Sequence, residues 1–397
     1  MRKLTKVLVP ALLIMIMLIG CGTSAAPQAE TQAPTKNAAP AETAAVEDTS
    51  ITVTDLAGIT HTFPKPLEHV VVQWSCAGGP FMTLSALLGA DVADVVVGID
   101  NTPSEYRADM WAQYTKSVPK LKDIPMIGSV DEEINLEAVL ASGADAMLFP
   151  LELKSIVDDT IGAKLEAAGI PAIYTDFHQE TIENHSKSTL LLGKLFDKEE
   201  RAQEIVDFYV SHRENVTKRV AEVLKGKERP NVYIEVGMMG PSDFGNSFDN
   251  HYSWGGIAYE AGANSIGEGV LPVSGPLDSE YILSQDPDKI IFTGSYWPAR
   301  PESVRMGFDA NEENAKALMD AYFTGRPGWT DLSAYNNGEI YSIHHSMARE
   351  MYDCACFEFF AKICFPEEME DLDPRATLQE YYERFLPYEF DGLWFVY

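Results

Sequence analysis

The sequence predicts an α/β fold of two similar lobes built on mostly parallel sheets, and three observations carry that prediction. Short apolar runs of the buried-strand type (HVVVQW, DVVVGI, AMLFP, PAIYTDF) alternate with helical patterns that stop at glycine. Between about residues 181 and 227 the strands cease and helical spacing takes over. On either side of that break, NLEAVLASGADAMLF (135–149) and DSEYILSQDPDKIIF (278–292) align without a gap. Glu137 meets Glu280, Leu140 meets Leu283, Asp145 meets Asp288 and Phe149 meets Phe292. Each stretch reads as a capped helix with an early acid, a turn and a buried strand.

Taken in order, the chain opens with Arg2, Lys3 and Lys6 before an apolar run from Val7 to Ile19. That is the charge and length of a secretory signal, too short for a comfortable membrane span. The run closes at Leu18-Ile19-Gly20-Cys21, which resembles a bacterial lipobox; residues 1–20 are expected to be removed and Cys21 to be acylated. Residues 21–50, rich in Ala, Thr, Pro and Glu, cannot bury enough apolar surface to offset their ordering entropy, and are expected to form a flexible tether. The N-terminal α/β lobe is assigned to 51–180, beginning with a hairpin around Ala57-Gly58. Residues 181–228 form a helical connection. Within it KEERAQEIVDFYVSHRENVTKRVAEVLKG (198–226) places Ala202, Ile205, Tyr209, Val216 and Val220 on one face of a helix on the order of 40 Å long. The C-terminal α/β lobe, 229–397, resumes the alternation with NVYIEVG, KIIFTGS and EIYSIHH and ends in the helical segments FEFFAKICFPEEM and LQEYYERFLP.

Charge and motifs limit the function. The chain has 30 basic and 60 acidic residues, a net charge of −30, which loss of the signal deepens by three. Such a surface repels nucleic acid and anionic headgroups, so no nucleic-acid partner is expected. Beyond Cys21 there are Cys76, Cys354, Cys356 and Cys364. An exported chain can pair cysteines, but Cys354-Ala-Cys356 is too close for an easy internal bridge, and no CxxC or paired-histidine spacing supports zinc. Idle thiols or one disulfide remain open. Hydrolase, zincin and phosphate-loop signatures are missing, and an enzyme is not expected.

Across 51–390 these residues resemble the substrate-binding lipoproteins of ABC importers for iron-siderophores, haem and cobalamin. ITVTDLAGITHTFPKPLEHVVV, KLEAAGIPAIYTD, LLGKLFDKEERA, DPDKIIF and RPGWTDLSAYNNGEIYSI carry the likeness by their order and spacing. The resemblance implies two Rossmann-like lobes joined by a single long helix, with a ligand cleft between them and little movement of one lobe on the other. It implies a metal chelate as transported ligand, no resident cofactor, and a monomer held by Cys21 on the extracytoplasmic face of the cell membrane. It also implies that Glu137 and Glu280 dock on an ABC permease, which works with its ATPase. An acid in the first turn of a helix is favoured by the macrodipole whatever it meets, so this role rests on the resemblance alone.

In open α/β sheets ligands sit beyond the carboxyl ends of the strands. That rule selects Trp74 after HVVVQ, and Tyr252 and Trp254 in the loop after NVYIEV. It also selects Tyr296, Trp297 and Arg300 after KIIFTG, and His344, His345 and Arg349 after EIYSI. Aromatic faces bury area while arginines orient an anion. His344 or His345, with Met238 or Met239 opposite, are candidate axial ligands to haem iron, the plainer alternative being hydrogen-bonded polar residues. Arg300 and Arg349 are candidates to pair with an anionic complex, or else surface ion pairs. The expected cargo is an iron complex, ferric siderophore or haem, or a related metal chelate. Cobalamin, a sensor role and a chelate-handling enzyme are the alternatives, since the fold does not name the ligand.

Overall fold

In the computed structural model residues 50–75 and 78–397 are described. The expected signal peptide, the expected lipidation site Cys21, the expected tether before Ser50, and Cys76 lie outside them.

The hairpin expected at the start pairs β1 (Ile51–Thr54) with β2 (Thr60–Phe63) antiparallel. Asp55 Oδ1 accepts from the N–H groups of Ala57 and Ile59 and so closes the turn. Next come β3 (Val70–Val72), β4 (Val96–Ile99), β5 (Ala146–Pro150) and β6 (Ala172–Thr175). They form a parallel sheet in the order β4-β3-β5-β6. All of β3 and β5 is buried, which is why these strands read as unbroken apolar runs rather than alternating ones.

The second lobe carries β7 (Asn231–Val236), β8 (Ser247–Phe248), β9 (Asn264–Ser265), β10 (Ser274–Gly275), β11 (Lys289–Gly294), β12 (Ile340–His344) and β13 (Phe395–Val396). Five of these make the sheet β13-β12-β11-β7-β9, parallel except at β13, while β8 and β10 form a small ribbon.

The internal repeat is structural. Asn135 caps the helix Leu136–Ala141 through the Ala138 N–H, and Asp278 caps Ser279–Gln285 through the N–H groups of Glu280 and Tyr281. The aligned aspartates then do the same work in both copies. Asp145 Oδ2 accepts from the N–H groups of Glu68 and His69, both at 2.8 Å, and its own N–H donates to the His69 carbonyl. Asp288 Oδ2 accepts from the Asn231 N–H at 2.8 Å, and its N–H donates to the Asn231 carbonyl. Each aspartate clips a central strand, β5 or β11, to the entry of its neighbour, β3 or β7.

Between the sheets run the helices Ile182–Leu195 and Glu199–Val223, the second 25 residues long. Its buried face, Ala202, Ile205, Tyr209, Val216 and Val220 among others, is the one the apolar spacing marked. One apolar cluster contains Val70 and Leu148 of the first sheet, Tyr209 of this helix, Ile291 and Ile343 of the second sheet, and Phe359 behind them. The core therefore passes unbroken from lobe to lobe. The helically spaced segment KSIVDDTIGAKLEAAG forms two helices, Lys154–Thr160 and Gly162–Ala167, with Ile161 at φ −116° between them. Cys354, Cys356 and Cys364 are free thiols, the first two buried on the helix Cys354–Cys364, so among them the disulfide alternative is not realised.

Candidate ligand cleft

Strand ends from both sheets converge on two adjoining cavities of about 370 and 220 Å³. Tyr106 and Arg349 line both. Into the larger, the second lobe sends Tyr252, Trp254, Trp297, His345, Ser346 and Arg349, while the first contributes Tyr106 and Arg107. Although the chain has 60 acidic residues, among the described residues no carboxylate lines this cavity, and two arginines do. The smaller cavity reverses that balance. The rings of Trp74 and Tyr106 stand there with Glu105, Asp131 and Glu132.

Arg349 has φ 70°, a left-handed backbone costly for a residue with a side chain. Gly78, at φ 84°, lets it pack: a Cβ there would lie 3.0 Å from Arg349 Cβ and 2.7 Å from His178 Cε1. Arg349 Nη2 donates to the Tyr252 hydroxyl at 3.1 Å, while its Nε stands 3.9 Å from Glu180 Oε1. Trp74, also left-handed at φ 47°, is held by its indole N–H, which donates to Asp131 at 3.1 Å, and by the His178 ring 5.4 Å away. His345 lies between Trp254 and Trp297, ring centroids 6.1 and 5.7 Å apart from its own, with Nδ1 2.8 Å from Thr293 Oγ1. Burial first, then the fields of Arg107 and Arg349, hold its pKa well below the usual value, so it stands as a neutral imidazole. Ser346 is buried and its Oγ, at the same wall, has no hydrogen-bond partner among the described residues.

Of the nine residues selected from the sequence, Trp74 lines the smaller cavity, Tyr252, Trp254, Trp297 and His345 the larger, and Arg349 both. Three stand elsewhere. His344 ends β12 facing away, fully buried against Trp394 at 4.6 Å, because successive strand residues point to opposite sides. After β11 the same alternation turns Trp297 inward and Tyr296 out to solvent, where the Arg305 guanidinium stacks on it at 3.6 Å. Arg300 follows at the exposed rim, outside both cavities. Of the two candidate methionines, Met238 lines the larger cavity, as His345 does, and Met239 lines neither.

Sequence reasoning missed Tyr106 and Arg107. They follow β4, and the strand-end rule applies to its carboxyl end as to the others. Arg107 is buried, and its Nη1 donates to the Tyr106 carbonyl at 2.8 Å. Glu137 and Glu280 are both exposed in the first turns of the two repeat helices, away from the cavities. Among the described residues no group of three His, Cys, Asp or Glu is placed to hold a metal, and no helix is long and apolar enough to cross a membrane.

Residues 78–347 match the periplasmic binding protein family, and the chain belongs to it. The structure of the TroA-like periplasmic binding protein FepB from Veillonella parvula is similar at 46% identity and TM-score 0.84, covering 87% of this chain and 99% of that one. The molybdate-binding protein MolA of Haemophilus influenzae is 21% identical over 347 residues, 84% of this chain and 90% of MolA. A periplasmic heme binding protein from Pseudomonas aeruginosa, at 15% identity and TM-score 0.52, shares the fold, covering 76% of this chain and 94% of its own. The fold is that of the two-lobed binding proteins, as the sequence resemblance implied. At that level the chain is an extracytoplasmic substrate-binding protein of ABC transporters, which work with a permease and an ATPase.

Proposed function

We propose that this chain captures an anionic metal chelate in the larger cavity, a ferric siderophore first and haem second, and carries it to its permease. What supports the reading is the lining itself: Arg107 and Arg349 from opposite lobes, aromatic rings beside them, and among the described residues no carboxylate. In a partly dry cavity a carboxylate would repel an anion strongly, whereas two guanidiniums satisfy it by charge-assisted hydrogen bonds. Trp254, Trp297 and Tyr252 pack the apolar parts of the chelate. For haem, Met238 and His345 are the candidate donors lining the cavity. A compact oxoanion is the second reading, favoured by the modest 370 Å³ and by the likeness to a molybdate-binding protein. Cys21 is the lipid anchor in this reading, and Glu137 and Glu280 are the acids that meet basic residues of the permease, one per lobe.

The test is a tryptophan-fluorescence titration of the purified protein against a ferric catecholate chelate, haem, molybdate and cobalamin, corrected for inner-filter absorption. Saturable quenching by an anionic member is expected, since Trp254 and Trp297 line the cavity. Saturation by cobalamin alone would overturn the anionic reading.

A further inference from the structure

The larger cavity has a charge that it does not display. Glu180 follows the first sheet, in the turn before the helix Ile182–Leu195, and its side chain lies buried beside Arg349. Its Oε1 and the Arg349 Nε face each other at 3.9 Å, and neither atom has a hydrogen-bond partner among the described residues. That gap is too long for a hydrogen bond and short enough for a strong field. Arg349 thus looks two ways: toward Glu180 at its back, and into both cavities at its front.

We propose that Glu180 is the counter-charge of Arg349 in the empty cleft, and that an anionic cargo takes Arg349 from it, so that capture is coupled to uptake of a proton by Glu180. This rests on the reading of Arg349 as a cargo ligand. The balance is simple: Arg349 keeps its charge and changes partner, the cargo binds as the anion, and the proton comes from solvent to the carboxylate left behind.

The surroundings set the direction. Burial raises the Glu180 pKa to about 7, against the opposing fields of Arg349 and Arg213 and the Ser253 N–H. The other groups that face it are the Tyr252 hydroxyl, the Asp353 carboxyl and the Cys356 thiol. Burial raises the pKa of all three, so they add no negative charge beside Glu180; the other cation that acts on it is Arg213, which donates to the Glu180 backbone carbonyl and is paired with Glu260. An anion seated on Arg349 removes part of that support and adds a negative charge nearby, so Glu180 holds its proton to higher pH in the loaded cleft than in the empty one. Affinity is then flat below about pH 7 and falls as pH rises above it, by up to about tenfold per unit.

The experiment measures affinity from pH 6 to 9 for molybdate and for a hexadentate ferric tris-catecholate, whose charges are constant over this range, in the wild type and in Glu180→Gln. The wild type is expected to lose affinity above about pH 7, while Glu180→Gln shows no such fall. A proton taken up by His345, or by His178, which also feels the charge of Arg349, would survive in that variant, so equal slopes in the two proteins would overturn the proposal. Should Glu180→Gln fail to fold, mixing wild type with the probe in weak buffer near pH 7.5 reads proton uptake directly, and none would be equally fatal. If neither probe saturates the protein, the anionic reading of the cleft falls, and this inference with it.

Discussion

The two lobes share a frame and differ in what they hang on it. Asp145 and Asp288 clip corresponding strands, and Glu137 and Glu280 stand in corresponding first helical turns. Yet the strand ends of the first lobe supply Trp74, Glu105, Asp131 and Glu132 to one cavity, while those of the second supply Tyr252, Trp254, Trp297, His345 and Arg349 to the other. The lesson is that backbone frame and site chemistry are separable. Among the described residues only Tyr106, Arg107 and Arg349 cross the division, and for that reason they are the residues at which the proposed ligand choice is best tested.

The largest effect comes from breaking the shared frame where it faces outward. Glu137→Ala combined with Glu280→Ala is expected to abolish uptake in whole cells while the purified protein binds its cargo unchanged. Either single variant should retain partial uptake. A fall in affinity for the double variant would place these acids in the wrong role.

Next is the difference between the lobes. Arg349→Ala is expected to weaken anionic cargo by about 100-fold, the scale of removing one partner from a desolvated charge pair. Loss of less than about threefold in a titration would show that the second lobe does not hold the anion. Arg107→Ala tests the first lobe in the same way, and similar losses would mean that the cargo bridges the lobes.

How far these regions were legible beforehand follows from the physics of each. Parallel strands covered on both faces read as plain apolar runs, and Val70–Val72 and Ala146–Pro150 were unmistakable. The buried stripe of Glu199–Val223 was equally plain, because helical spacing reports burial directly. Which loop residues turn inward was not. Trp297 and Tyr296 are adjacent and chemically alike, and only the side-chain direction at the end of β11 sends one into the cavity and the other to solvent. His344 and His345 divide in the same manner at the end of β12. Arg107 and Glu180 both follow strand ends, those of β4 and β6, but no local spacing marks either as a buried charge.

Smaller in effect is the pH dependence of stability, which separates the hidden acid from the exposed ones. Burial raises Glu180 from 4.5 to about 7. A carboxyl with a raised folded-state pKa stabilises the fold fully below its unfolded value and loses that contribution as pH rises to the folded value. Wild type should therefore lose thermal stability relative to Glu180→Gln between about pH 4.5 and 7, with a constant difference above that. Parallel melting curves across the window would mean that Glu180 is ionised throughout.

The smallest expected effect lies in the two clips, and it asks whether the repeat is mechanically equal in both lobes. Asp145 accepts two backbone N–H groups and Asp288 accepts one. Charge-assisted bonds of this kind are worth about 1 kcal/mol each when partly exposed. Asp145→Ala should then cost more in denaturant unfolding than Asp288→Ala, by about 1 kcal/mol. Because one core cluster passes through both sheets, each variant should still unfold in a single transition. A biphasic curve for Asp145→Ala alone would mean that the first lobe can open while the second stays folded, and the lobes would then differ in cooperativity as well as in chemistry.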